Sequence, residues 1–270
     1  MSVFETLVLS LLGFGVGIFG TLIGAGGGFL VVPILIILYH VDSSVAAGTS
    51  LLFVFFNALS GSIAYLRQKR VDVEIGIIFT LMTVPGSILG AYITTYYLES
   101  LVFKIIFSLI LFIVSLYLMF RPVGEQKRNP VAKGYCRILV DSSGKTYEYS
   151  VSLPIGMFIS FGVGFVSSIF GIGGGIIHVP AMIFLMNFPV HVATATSQFI
   201  LCFSTLIGSI THFTLGNVRF DLAIPLAIGA LVGAQVGAKL SLRTKGTIIE
   251  RLLSIGLIIV AIRLLLYAFE

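Results

Sequence analysis

Two runs of adjacent glycines interrupt long apolar stretches and carry the chemistry this sequence offers. Gly24-Ala-Gly-Gly-Gly-Phe-Leu-Val-Val-Pro33 reappears as Gly171-Ile-Gly-Gly-Gly-Ile-Ile-His-Val-Pro180, offset by 147 residues. Glycine costs about 1 kcal/mol relative to alanine inside a helix, so the spacing of Gly24, Gly26, Gly27 and Gly28, and of Gly171, Gly173, Gly174 and Gly175, predicts a break. A half-helix starting after such a break leaves its first N–H groups without intrahelical acceptors. The helix dipole adds about half a positive charge there. With no side chains in the way, an anion can approach those amides directly. Pro33 and Pro180 then fall in the second turn of each half-helix, where a missing N–H kinks or loosens it.

Polar side chains stand near the same points of each copy. Thr49, Ser50, Thr196, Ser197 and Gln198 fall near the start of the following helices, with Asn57 and Ser204 two turns along. Serine and threonine hydroxyls often bond their own helix backbone. Asn57 and Gln198 are costlier to leave idle and are assigned to the site. His178, in the first turn of the second half-helix, replaces Val31 of the first and is placed to touch an anion. Other chemistries are poorly supplied. Gly-Ile-Gly-Gly-Gly lacks the Lys-Ser/Thr of a P-loop and the strand–helix setting of a dinucleotide fingerprint. The histidines have no metal-ligand spacing, no paired carboxylates lie inside an apolar run, and no cofactor is implied.

The elements that must position these residues belong to a membrane. Hydrophobic residues are 57% of 270 positions, charged residues 10%, and the mean hydropathy is +1.11. A soluble domain carries about 25% charged residues. From Ser150 to Val218 there is no Asp, Glu, Lys or Arg, and one span takes about 20 apolar residues. The first apolar run lacks a basic leader and is far longer than a signal's core, which excludes a secretory signal. The net charge of +5 lies in short clusters between apolar runs, a pattern of membrane orientation and not of nucleic-acid binding. Cys136 and Cys202 make no disulfide framework. With no tryptophan, an interfacial belt falls to tyrosines, among them Tyr39, Tyr65, Tyr92, Tyr96, Tyr97, Tyr117 and Tyr267.

The offset of 147 continues without a gap well beyond the glycines. Ala46, Thr49 and Ser50 fall on Ala193, Thr196 and Ser197, and Gly86, Gly90 and Ala91 on Gly233, Gly237 and Ala238. The chain is therefore read as an all-α polytopic membrane protein of two repeats, 1–120 and 151–270, joined by a polar linker, 121–150. Each repeat holds about five apolar segments, at 3–22, 28–40, 44–66, 73–97 and 101–120, then 152–170, 175–188, 191–214, 220–241 and 248–268. Helical spacing of Gly86, Gly90, Gly233 and Gly237 also fits close helix packing. In the linker, Cys136–Val140 and Thr146–Val151 flank Asp-Ser-Ser-Gly-Lys and predict a β-hairpin. Arg67, Lys69 and Arg70 mark one cytoplasmic loop, and the linker, with Arg121, Lys127, Arg128, Lys133 and Arg137, marks another. The second repeat places its basic loop elsewhere, at Lys239, Arg243, Lys245 and Arg251. Equivalent loops then lie on opposite sides, so the repeats are inverted, the linker is cytoplasmic and both termini are outside.

Two copies of Gly-x-Gly-Gly-Gly-x-x-x-Val-Pro, each followed by Ala-x-x-Thr-Ser (Ala46–Ser50 and Ala193–Ser197), resemble the sulfite exporter TauE/SafE family of membrane transporters. The resemblance spans nearly the whole chain outside the linker and implies transport of sulfite, sulfoacetate or a related organic anion. Thr194-Ala195 replaces the Ala47-Gly48 of the first copy, and His178 and Gln198 occur in the second alone. The two halves are therefore chemically unequal, and the site need not be symmetric. The expectation is a secondary anion transporter of the cell membrane, exporting by alternating access around a midplane site and not acting as an enzyme. An anion channel, an importer of a related anion, and a membrane enzyme or scaffold are the rival readings. An interior-negative potential supplies about 2.3 kcal/mol per charge per 100 mV for expelling an anion, so uniport export needs no coupling ion, with coupling through His178 or a carbonyl-bound Na⁺ as the alternative.

Overall fold

The computed structural model describes residues 2–120, 134–244 and 246–269. Among these, ten helices and one hairpin follow in the order α1 (Val3–Ile23), α2 (Gly28–Tyr39), α3 (Ser43–Arg67), α4 (Val73–Tyr96), α5 (Ser100–Phe120), β1 (Tyr135–Val140), β2 (Thr146–Val151), α6 (Leu153–Phe170), α7 (Gly175–Phe184), α8 (Val190–Thr214), α9 (Phe220–Arg243) and α10 (Gly246–Phe269). The boundaries match the apolar runs to within a few residues except at α7. That helix stops at Phe184, and Asn187 turns the chain with φ 57°, as His40 does after α2 with φ 47°. Six described helices, α1, α3, α4, α6, α8 and α9, are long and apolar enough to cross a membrane. With 12 and 10 residues, α2 and α7 reach only about 18 and 15 Å at 1.5 Å per residue. Each is half of the roughly 30 Å hydrocarbon layer.

Local signals set the helix ends. Ser2 and Glu5 close a capping box on α1, and Asp72 accepts from the Ile75 amide to cap α4. Gly24 and Gly171 end α1 and α6 in the left-handed conformation, at φ 75° and 68°, where a β-carbon is penalised.

Glycine stripes determine which helices meet. Along α1 and α9, a β-carbon at Gly13 would collide with the Leu226 backbone, one at Gly17 with Ala230, and one at Gly237 with Ile18. Residue numbers rise together, so α1 and α9 run in the same direction. The equivalent pair, α6 and α4, does the same: Gly164 rests on Thr83, Gly86 on Phe161 and Gly90 on Phe165. Gly86, Gly90, Gly233 and Gly237 are thus packing positions that let backbones touch. The equivalent helices α3 and α8 cross each other with numbers running oppositely. Gly48 meets His212 and Asn217, Gly208 meets Leu51, and Gly61 meets Gln198. So α3 and α8 are antiparallel, and exchanging the halves reproduces the same contacts. The amide of Asp72 donates to Thr196 Oγ1 at 3.0 Å, and the equivalent amide of Arg219 donates to Thr49 Oγ1 at 3.0 Å. Outward faces are apolar, as at Leu11, Leu81, Phe158 and Ile228.

The hairpin predicted in the linker forms, in the register Tyr135↔Val151 through Val140↔Thr146. It is docked and not free. Arg137 binds Asp72 bidentately at 2.8 and 2.9 Å and also reaches Glu74, while Tyr149 donates to Asp72 at 2.5 Å. Hydrogen bonding to Asp72 pulls the Arg137 guanidinium above its ordinary pKa. Burial, and then the Asp72 charge, push the Tyr149 phenol up. Tyr149 packs on Phe188 at 4.8 Å, and Tyr147, Tyr149 and Val151 join a core with Phe79, Met182, Met186 and Val192. The hairpin thereby ties the α3–α4 connection to the α7–α8 connection. Of the basic residues used for orientation, Arg121, Lys127, Arg128, Lys133 and Lys245 lie outside the described residues. Tyr92, Tyr96 and Tyr97 are exposed, as a belt requires, but Tyr65 is fully buried because its hydroxyl donates to the Thr21 carbonyl at 2.8 Å.

Candidate substrate site

Each glycine run folds as a left-handed turn that reverses the chain. Gly24, Gly26 and Gly27 have φ of 75°, 76° and 88°; Gly171, Gly173 and Gly174 have 68°, 78° and 78°. L residues are disfavoured there by about 1–2 kcal/mol apiece. The reversal is sharp: a β-carbon on Gly27 would lie 2.7 Å from Val16 Cγ1, and one on Gly174 would lie 2.8 Å from Val163 Cγ1. Helices α2 and α7 therefore fold back along α1 and α6. The first loop-to-helix bonds come from Leu30 to Gly27 O at 3.0 Å and from Ile177 to Gly174 O at 3.0 Å. The amides before them are those that a helix start leaves unpaired.

The two turns meet. A β-carbon at Gly28 would strike the Gly171 carbonyl, and one at Gly175 the Gly24 carbonyl. Each half-helix start thus faces the carbonyl that ends the opposite repeat's preceding helix. Ser50 Oγ donates to Gly171 O at 2.8 Å, and its equivalent Ser197 donates to Gly24 O at 3.1 Å. Val54 and Leu201, where α3 crosses α8, cover both Gly26 and Gly173. The glycine starts, Ser50 and Ser197 therefore form one continuous, buried contact set built from both repeats.

Around this shared centre the halves differ. Asn57 Nδ2 donates to Gly26 O at 3.0 Å, while its Oδ1 accepts from Thr21 Oγ1 at 3.2 Å. Gln198 Nε2 reaches Thr21 Oγ1 at 3.2 Å and Asn57 O at 3.4 Å, leaving its buried Oε1 without a protein partner. The equivalents of Asn57 and Gln198 are Ser204, which is buried, and Leu51, which is apolar. The polar network thus flanks one glycine turn and not the other.

The remaining candidates lie off the turns. Thr49 and Thr196 accept the loop amides before α9 and α4. His178 bonds Ser160 at 3.2 Å and lies 6.0 Å from the Phe79 ring, so its partners belong to α6 and α4. Both α2 and α7 continue through Pro33 and Pro180. Thr21 was not singled out from the sequence, although it joins Asn57 to Gln198. The available signal was its pairing with Ser168, a hydroxyl three residues before each glycine run.

Comparison with known proteins agrees with this architecture. A family model described as sulfite exporter TauE/SafE matches residues 9–264. A probable membrane transporter protein, YunE, of Bacillus subtilis (strain 168) is 40% identical over 227 residues, covering 82% of each chain. A probable membrane transporter protein of Methanocaldococcus jannaschii is 28% identical over 212 residues, covering 77% of this chain and 72% of its own. Another, YdhB of Bacillus subtilis, is 27% identical over 218 residues and 81% of each. No solved structure matches. The chain is a multi-pass membrane protein and belongs to the sulfite exporter TauE/SafE family.

Proposed function

We propose that this membrane transporter carries a small sulfur-containing anion, sulfite or an organic sulfonate such as sulfoacetate, outward by alternating access around the glycine turns. The observation that carries the reading is the meeting of Gly28 with Gly171 and of Gly175 with Gly24. Two helix starts from opposite repeats present amides and partial positive charge to one point, without a lysine or arginine at mid-bilayer, which would cost about 3 kcal/mol or more. In this packing the opposing carbonyls and the Ser50 and Ser197 hydroxyls occupy each other. An entering anion would displace the carbonyls and take the hydroxyls as donors. The antiparallel crossing of α3 and α8 supports an inverted arrangement in the bilayer, with the linker cytoplasmic and the termini outside.

The test is flux of [35S]sulfite from proteoliposomes holding the purified chain, with sulfoacetate and sulfate as competitors. Efflux that scales with an imposed negative interior, without a pH or Na⁺ gradient, is the expected result. Wild-type flux no greater than in empty vesicles, for sulfite and both competitors, would sink the reading.

A further inference from the structure

A charged side chain that the glycine site does not use lies in the connection between α3 and α4. Arg70 is 1% exposed. Its guanidinium donates only to neutral acceptors: Gln68 Oε1 at 3.1 Å, Ser241 Oγ at 3.2 Å and His191 O at 3.3 Å. It also lies 5.3 Å from the Tyr65 ring centroid, and its Nε is buried with no partner. Among the described residues no carboxylate pairs with it. Asp72 is taken by Arg137 and Tyr149, and Asp141 by Ser143, Lys145 and Tyr147 of its own turn. Burying a cation without its counter-charge is costly. A buried donor aimed at nothing calls for an anionic acceptor.

The position is also connected. Arg70 stacks on Tyr65, whose hydroxyl bonds the Thr21 carbonyl; Thr21 Oγ1 bonds Asn57 and Gln198; and Asn57 bonds Gly26. The equivalent route on the other face runs Asn217, His212, Ser168. His212 Nε2 meets the Ser168 carbonyl at 3.0 Å, as Tyr65 meets Thr21. There the cation is replaced by Asn217, whose amide donates to Thr95 at 2.7 Å, and Gln198 is replaced by Leu51. The hairpin turn closes over the Arg70 side, with the Ser142 amide on the Gln68 carbonyl at 2.9 Å.

We propose that Arg70 is an anion-capture site at one mouth of the route to the glycine turns, taking an oxyanion of the sulfite or sulfonate class, while the equivalent mouth at Asn217 is neutral. The inference rests on the anion-transport reading. Arg70 gathers the anion beneath the hairpin, and Tyr65, Gln198 and Asn57 pass it to the amides. The opposite mouth, whose neighbouring cation Arg219 is exposed and paired with Asp221, holds the anion weakly and releases it. The asymmetry of charge across the pseudo-two-fold gives the route a loading side and a discharging side.

The test uses the full chain in detergent and in proteoliposomes. Melting temperature is followed against sodium sulfite, sulfate and sulfoacetate at constant ionic strength, for wild type, Arg70→Gln, Arg70→Lys and Asn217→Arg. The expected result is anion-dependent stabilisation of wild type, with the half-saturating concentration raised at least tenfold in Arg70→Gln and partly restored in Arg70→Lys. In vesicles of known orientation, Asn217→Arg should lower the half-saturating [35S]sulfite concentration on the opposite face. A merely structural Arg70 would lower the anion-free melting temperature in both variants and leave the half-saturating concentration unchanged, which overturns the proposal. No stabilisation of wild type by any of the three anions overturns it too. Intact sulfite flux beside an indifferent Arg70→Gln would remove this site alone, whereas absence of flux in wild type would remove the transporter reading.

Discussion

Replacing Arg137 by glutamine should release the linker hairpin while leaving the membrane helices folded. The Asp72 side chain is 1% exposed and the Arg137 side chain 24%, so water reaches the guanidinium but not the carboxylate. Removing the arginine strands a buried charge on Tyr149 and the Ile75 amide. Breaking a fully buried pair costs about 3–5 kcal/mol; the partial exposure of Arg137 reduces this to about 2–3 kcal/mol. At about 1.4 kcal/mol per factor of ten, amides of Tyr135–Val140 and Thr146–Val151 should exchange about 30- to 150-fold faster with deuterium. Asp72→Asn keeps a side-chain oxygen for the α4 cap and should cost about 1–2 kcal/mol, because Arg137 retains Glu74. The double variant should fall short of the sum by about 1–2 kcal/mol, the coupling of a contacting pair. Hydrogen exchange read by mass spectrometry on the four proteins checks this. Additive effects, or less than a threefold change in Arg137→Gln, would refute the view that this pair holds the hairpin down.

Other outcomes follow from the same geometry. Gly28→Ala and Gly175→Ala, whose β-carbons would strike opposing backbone carbonyls, should each cost about 1–3 kcal/mol of stability and reduce sulfite flux at least tenfold. Gly15→Ala and Gly162→Ala, equivalent positions with nothing within 4 Å, should be neutral or stabilising by up to about 1 kcal/mol, as thermal melts in detergent will show. Tyr65→Phe should cost about 1 kcal/mol by removing its hydrogen bond to the Thr21 carbonyl, which keeps only the Gly24 amide as donor, read in the same melts. Asp141 is buried, which alone would raise its pKa, but bonds from Ser143, Lys145 and Tyr147 outweigh burial and hold it below the ordinary carboxylate value. A depressed carboxylate stabilises at neutral pH and loses that contribution as pH falls through its folded pKa. Hairpin protection, corrected for intrinsic exchange, should weaken in acid in wild type and lose that dependence in Asp141→Asn.

How much of this was readable beforehand depends on the range of the contact. The offset of 147 residues, the breaks at Gly24–Gly28 and Gly171–Gly175, and the hairpin around Asp141–Lys145 all rest on local composition and periodicity, and each was legible. Inside the site, Ser50, Ser197, Asn57 and Gln198 were legible as uncompensated polar groups near the breaks. What they bond was not, because their partners come from the opposite repeat through the antiparallel crossing of α3 and α8. Tyr65 read as an interfacial tyrosine because span-end position does not say whether a ring faces lipid or a neighbouring helix. Arg70 read as a loop charge for the same reason: its burial comes from α8, α9 and the hairpin, all more than a hundred residues from it except the hairpin. His178 stood in the first turn of α7, but the fold-back of that helix along α6 turns it to Ser160.

The claim beneath all of this is that two glycine turns, one from each repeat, jointly hold the transported anion on their bare amides. Selenite has the charge and shape of sulfite and scatters anomalously, so crystals of the full chain grown with selenite locate the anion directly. The account predicts an anomalous peak within hydrogen-bond reach of the Gly27–Gly28 and Gly174–Gly175 amides, with the Ser50 and Ser197 hydroxyls turned toward it. A protein that transports selenite, yet shows its peak away from both turns while Gly28 stays sealed on Gly171, would contradict it.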